Sequence, residues 1–346
     1  MSLSFNSINN EAVTQIVLEA LKGQMEVLIL RGADEFAHDV SDIDVLVPRN
    51  HSLSALMRTA EKAAHAGWKI LAVRDIGYLA QICLVKWDKA NDQYYAVKID
   101  FFNGLSWCAL GRDTITEALL DIRASVGEQE AIALVTLLQK LMYSGYLSKR
   151  DRARIAAGCD LNQIEAFINK TELPLSRKTL EKGVLSKIIR WRLRAASSGV
   201  GLANVLSWIV KVIWRRIRFT FIRSALPGTS IVLKCVDQDR CEVIAAHFQL
   251  LLGSAGFPRP KIVLQSGFSP LNFIQNLLHV WYVLCGDILL KGQMQVDDEN
   301  SLTHQEFTTV HTIIIDCISE GDDDLAILLD SVSQHSLNTL RRLENR

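Results

Sequence analysis

A chain of 346 residues, 49% hydrophobic and 22% charged, has the balance of a folded protein with a real core and the length of two domains, or of one domain with a large helical part. Lysine plus arginine and aspartate plus glutamate both number 38, so net charge gives no reason to expect a polyanionic partner. Seven cysteines form no CxxC pair and no metal-type Cys/His spacing, which favours reduced thiols in a cytosolic compartment over a disulfide framework.

The opening MSLSFNSINNEAV lacks a basic stretch followed by an apolar core, so no signal peptide is expected. No uninterrupted apolar run reaches about 18 residues, which argues against a spanning helix. Apolar residues at helical spacing predict a helix over 11–22, and EVLIL (26–30) reads as a buried strand. DIDVLV (42–47) is the second strand. A helix is expected over 51–66, started by Asn50 or Ser52 and stopped by Gly67. WKILAVRD, LAQICLVKW and QYYAVKIDFF then give three more strands, parted by Gly77 and by DKAND (88–92). The order predicts a mixed sheet with helices packed on it.

Residues 127–147 and 149–170 read as helical, and Pro174 marks a break. Between Lys187 and Arg223 lie nine Lys/Arg and no Asp or Glu, with Trp191, Trp208 and Trp214 interleaved. Such helices suit an anionic membrane interface. They equally suit a connector whose arginines pair with acids and whose tryptophans pack internally. No nucleic-acid reader motif accompanies them. After LPGTS (226–230) strands are expected at 230–235, 261–264, 287–290 and 311–316. Helices are expected at 240–252, 271–284 and 323–342, and this alternation points to a parallel sheet. The domain reading is 1–125, a helical connector over 126–226, and 227–346.

The chemistry centres on Asp42-Ile43-Asp44. Alternate strand residues share a face, so these two carboxylates stand roughly 6.5–7 Å apart along the strand while Ile43 and Val45 enter a core. Two neighbouring carboxylates repel, and burial sharpens the penalty. A divalent cation removes both. Mg²⁺ takes one or two carboxylates, with water and substrate phosphates completing its shell. Two such ions about 3.5–4 Å apart clamp an in-line phosphoryl displacement. Asp100, between Ile99 and Phe101, supplies a third acid from a later strand.

Gly32, then Asp42-Ile43-Asp44-Val45, then Ile99-Asp100-Phe101 resembles the signature of the DNA polymerase beta-like nucleotidyltransferase superfamily, with nine residues between Gly32 and Asp42. The resemblance implies a transferase that moves a nucleoside monophosphate from a nucleoside triphosphate to an acceptor hydroxyl, using two Mg²⁺ ions. Asp42, Asp44 and Asp100 would be ligands and catalytic residues. Arg31, Gly32, Ala33 and Lys98 would approach the triphosphate. Ala33 departs from the Gly-Gly or Gly-Ser common at that turn, leaving backbone amides to serve there. His38 reads as a solvated loop residue. LLQKLMYSGYLSKRDRARI, with Lys140, Lys149, Arg150, Arg152 and Arg154, resembles the helix after the sheet in relatives found with bacterial surface-polysaccharide genes; the acceptor could equally be a small metabolite, an RNA end or a protein side chain.

Residues 226–257 resemble the start of a thymidylate-kinase-like domain. A working phosphate loop needs GxxxxGK[ST], whose glycines free backbone amides to wrap phosphate. Residues 234–242 contain no glycine and carry Asp237, Asp239 and Glu242, so a degenerate P-loop domain is expected. The alternative to an enzyme is a non-catalytic scaffold that retains both folds to bind a partner.

Overall fold

The computed structural model describes residues 8–31, 42–88, 93–105, 107–108, 113–201, 204–221, 226, 228–235, 238–257, 260–264, 288–294, 312–317 and 324–344. It is an α/β protein, with two sheets among the described residues. The first has β1 (Leu28–Arg31), β2 (Asp42–Val47), β3 (Lys69–Asp75), β4 (Leu79–Asp88) and β5 (Gln93–Asn103), in the order β1-β2-β5-β4-β3. Strands β2 and β5 run parallel and the other pairs are antiparallel, giving the mixed sheet that the pattern predicts.

Strand alternation divides this sheet into two faces. Ile43 and Val45 of β2, Ile82 and Leu84 of β4, and Ile99 and Phe101 of β5 point one way. Helices α1 (Ile8–Leu21) and α2 (Ser52–His65) cover them through Val13, Val17, Leu56 and Ala60. The opposite face is covered in two separate zones. At one end Leu28, Leu30 and Leu46 meet helices α3 (Thr114–Ser125), α4 (Glu128–Tyr143), α5 (Lys149–Gly158), α6 (Leu161–Lys170) and α7 (Arg177–Lys182). At the other end Cys83, Val85 and Tyr94 pack against the second sheet's helices.

That second sheet is wholly parallel, in the order β7-β8-β6-β9, from β6 (Ser230–Cys235), β7 (Lys261–Leu264), β8 (Leu289–Met294) and β9 (Thr312–Cys317). Helix α8 (Lys187–Ser197) and helix α9 (Val205–Phe221) precede it, and α10 (Gln238–Ser254) follows β6. The expected helix over 271–284 and the residues Val236 and Asp237 of the strand-to-helix turn lie outside the described residues. The last helix, α11 (Asp324–Glu344), returns to the first sheet. The two sheets therefore share one hydrophobic cluster, with Leu71 and Ala72 of β3 against Phe248 of α10 and Leu328 and Val332 of α11.

Helix α11 also covers an open strand edge. Ser333 Oγ accepts from Ile70 N at 2.9 Å, and Lys69 Nζ meets Asp330 at 2.6 Å. An edge strand left bare offers its amides to other chains. Ser333→Ala leaves the buried Ile70 amide without that acceptor, and is expected to lower unfolding free energy by about 1–3 kcal/mol in urea titrations. An unchanged midpoint would show that the contact carries no stability.

Three local expectations are corrected. Residues 149–170 are two helices, because Asp160 caps α6 in a reciprocal box with Gln163. Helix α3, capped by Asp113, has no counterpart among the expected elements. Cys235 and Cys241 are joined in a disulfide, where reduced thiols were expected; the end of β6 and the first turn of α10 bring their Cα atoms to 5.8 Å, within bridging range.

Candidate metal centre

The acids occupy the strip of sheet between the two covered zones. Asp44 pairs in register with Asp100, and Asp42 with Lys98, across the parallel β2–β5 ladder. All four side chains therefore share the face opposite Ile43, Val45, Ile99 and Phe101. One carboxylate oxygen from each of Asp42, Asp44 and Asp100 lies within 4.8 Å of the others. Gly104 N donates to Val47 O at 3.1 Å, tying together the ends of the two strands that carry them. Gly104 adopts φ +73°, and a Cβ there would strike the Asp113 carboxylate that caps α3, so glycine is required at this turn.

Lys98 is not solvent-facing. Its side chain is 12% exposed, and Nζ lies 3.1 Å from Asp100 Oδ2 and 3.8 Å from Asp42 Oδ2. Gln81 of β4, registered opposite Asp100, donates from Nε2 to Asp100 Oδ1 at 3.0 Å. No sequence motif marks Gln81, since its membership depends on which strand pairs with β5. Burial raises the Asp100 carboxyl above the usual range; Lys98 and the Gln81 hydrogen bond draw it back, and Asp42 pushes it further up. Cys83, registered opposite Lys98 on the same face, is pushed up to about 12 by burial and remains a thiol.

Among the sequence candidates, Asp42, Asp44, Asp100 and Lys98 come together. Arg31 ends β1 opposite Asp44, and nothing is described of its side chain. Gly32, Ala33 and His38 lie outside the described residues. Two of the basic residues of α4 and α5 have structural partners: Lys140 pairs with Asp151 at 3.4 Å, and Arg152 donates to the carbonyls of Glu181 and Lys182. Arg154 donates to Leu30 O at 2.9 Å, holding the end of β1 just before Arg31.

One side of the basic segment faces inward. Arg194 stacks 4.1 Å from the Trp107 ring and donates to Met142 O, while Arg215 lies 4.6 Å from the Tyr78 ring and 5.0 Å from Trp107. Trp208 is buried and donates to Trp107 O and Ser198 Oγ. On this inner side both arginines lie against aromatic rings.

Three oxygen donors of hard carboxylate type fit Mg²⁺. Because the folded state raises the Asp100 carboxyl, it binds that proton more tightly than the unfolded chain does. Stability from this group is fully present below the ordinary aspartate value and is lost as pH rises through the raised one. In chelator, melting temperature should fall across this window, from about pH 4 upward, and Asp100→Asn should flatten that slope. A metal needs the deprotonated carboxylate, so Mg²⁺ stabilisation should grow across the same window. Identical profiles for both proteins would show that Asp100 is not the titrating group.

Comparison of the chain with protein-family models, with curated proteins and with solved structures finds no match.

Proposed function

We propose that the first sheet carries a metal-dependent nucleotidyltransferase centre that transfers a nucleoside monophosphate from a nucleoside triphosphate to an acceptor hydroxyl. The supporting observation is the parallel register that sets Asp44 beside Asp100, with Asp42 on the same face and the three carboxylates convergent. Asp42, Asp44 and Asp100 would hold Mg²⁺, two ions in the resemblance noted above. Bound there, the metal supplies neutralisation of the triphosphate and of the attacking and leaving oxygens. Gln81 fixes one oxygen of Asp100, and the Asp100 carboxylate would take the acceptor hydroxyl's proton. The acceptor oxygen then bonds to the α-phosphorus, the bond to the bridging oxygen breaks, and pyrophosphate leaves. Lys98 offers a cation to the phosphates from the same face.

Residues 227–346 fit a degenerate kinase-like unit in this reading. Its strand–turn–helix lacks glycine from Lys234 to Glu242, and the Cys235–Cys241 bridge spans the turn. A role for the whole chain in surface-polysaccharide metabolism rests on the sequence resemblance alone.

A scaffold without catalysis is the second reading, and Lys98 favours it: an amine already lies among the acids and neutralises part of their charge. The deciding experiment incubates the protein with Mg²⁺ and nucleoside triphosphates labelled at the α-phosphate. Small hydroxylated metabolites, RNA ends and the protein itself serve as acceptors. Mg²⁺-dependent label transfer supports the enzyme. Calorimetry that detects no triphosphate binding in Mg²⁺, together with no transfer, supports the scaffold.

A further inference from the structure

Helix α9 turns its apolar side away from the protein. At 3.6 residues per turn, Leu206, Val210, Ile213 and Ile217 fall on one side of the helix. Their exposures are 76%, 59%, 53% and 44%, whereas Trp208 on the opposite side is 3% exposed. A surface helix of a globular protein normally shows the reverse. Trp214, 61% exposed, borders the outward strip. Trp191 of α8 meets Trp208 edge-on at 5.4 Å and is itself 49% exposed, which extends the apolar surface onto α8. Lys211 and Arg216 are exposed on the two flanks of the strip.

From this we propose that α9, with the outer side of α8, is a membrane-docking surface that lies in the interface of an anionic bilayer. The partner's chemistry follows from the charge. Lys187, Arg192, Lys211 and Arg216 are exposed on α8 and α9, and residues 187–223 contain no Asp or Glu, so the surface matches a sheet of negative headgroups over hydrocarbon. A second copy would bring the same positive charge to the same place and be repelled. Exposed tryptophans suit the boundary between headgroups and acyl chains, where an apolar ring and an N–H donor are both satisfied. The helix lies along the bilayer rather than across it: it has 17 residues and includes Lys211, Arg215 and Arg216. Among the described residues no helix is long and apolar enough to cross a membrane. The inner side, packed through Trp208 and Arg215, would stay docked while the outer side enters to a depth of about 5–10 Å.

The test sediments the full chain with sucrose-loaded vesicles of phosphatidylcholine alone, or with about one third phosphatidylserine. Pelleting with the anionic vesicles is expected, with a blue shift of tryptophan emission and weakening in high salt. Leu206→Asp/Ile213→Asp should lower anionic-vesicle affinity at least about tenfold, because charged residues replace the inserting side chains. Lys211→Gln/Arg216→Gln should lower it roughly thirty-fold. Leu206 and Ile213 are exposed, so melting of the first variant should match wild type, and circular dichroism checks that both variants stay folded. Wild type remaining in the supernatant overturns the proposal. So does sedimentation unchanged in either variant. Self-association of wild type that Leu206→Asp/Ile213→Asp abolishes, without vesicle binding, assigns the face to contacts between copies instead.

Discussion

Asp44→Asn should lose nucleotidyl transfer while the metal-free protein keeps or slightly gains stability. The two effects have one cause. Asp44 lies with Asp42 and Asp100 in a cluster whose oxygens are within 4.8 Å of each other, so removing one charge relieves repulsion when no cation is present. The same change removes a ligand. Losing only an outer partner of a metal ligand costs about 10–100-fold, so losing the ligand itself should exceed about a hundred-fold in rate. On the proposed function Mg²⁺ and triphosphate should raise the melting temperature of wild type, and that rise should vanish too, since it requires a ligand bound to the folded state. Asp44→Ala is the comparator. If Mg²⁺ and nucleotide leave wild type unchanged, and only Ala substitution lowers its stability, the aspartates are structural and the scaffold stands.

Lys98→Met should destabilise the protein in chelator by about 3 kcal/mol. Lys98 and Asp100 form a pair whose side chains are 12% and 9% exposed, and removing one partner of a pair so little solvated leaves the other charge uncompensated. Divalent cation should restore much of the loss, because it replaces the missing positive charge among Asp42, Asp44 and Asp100. Lys98→Met/Asp44→Asn should be less destabilised than the sum of the single changes, as residues in one electrostatic network are not additive. Urea unfolding of the four proteins, with EDTA and with Mg²⁺, measures each term. Lys98→Met as stable as wild type in EDTA would mean that the acids do not depend on this amine.

The acids are legible in the sequence because strand alternation is strict. A buried apolar residue on each side of an aspartate fixes which way it points, and Ile43, Val45, Ile99 and Phe101 are all fully buried. Gln81 was not readable: nothing local says that β4 pairs with β5, and the contact exists only through that register. The break between α5 and α6 was readable, since Asp160 and Gln163 form a cap-and-reply pair, yet the continuing apolar period hides it. The sidedness of 187–223 was half readable. Spacing places Leu206, Val210, Ile213 and Ile217 together, but only the fold tells that Trp107 and Tyr78 draw the other side inward. The disulfide lay beyond reach, because cysteine pairing is a distance between Cα atoms and not a pattern.

The clasp of α11 on β3 sets a schedule for biosynthesis. The serine that caps the Ile70 amide lies 263 residues further along the chain. At roughly 5–20 residues per second a ribosome needs about 13–50 seconds to deliver it. For most of that interval the nascent first sheet presents β3 with its clasp still unmade, and Leu71 and Ala72 lack Leu328 and Val332 of α11. Such surfaces are the ones nascent chains hand to holdase chaperones. The yield of folded protein should therefore respond to chaperone supply and growth temperature more steeply than its final stability would indicate.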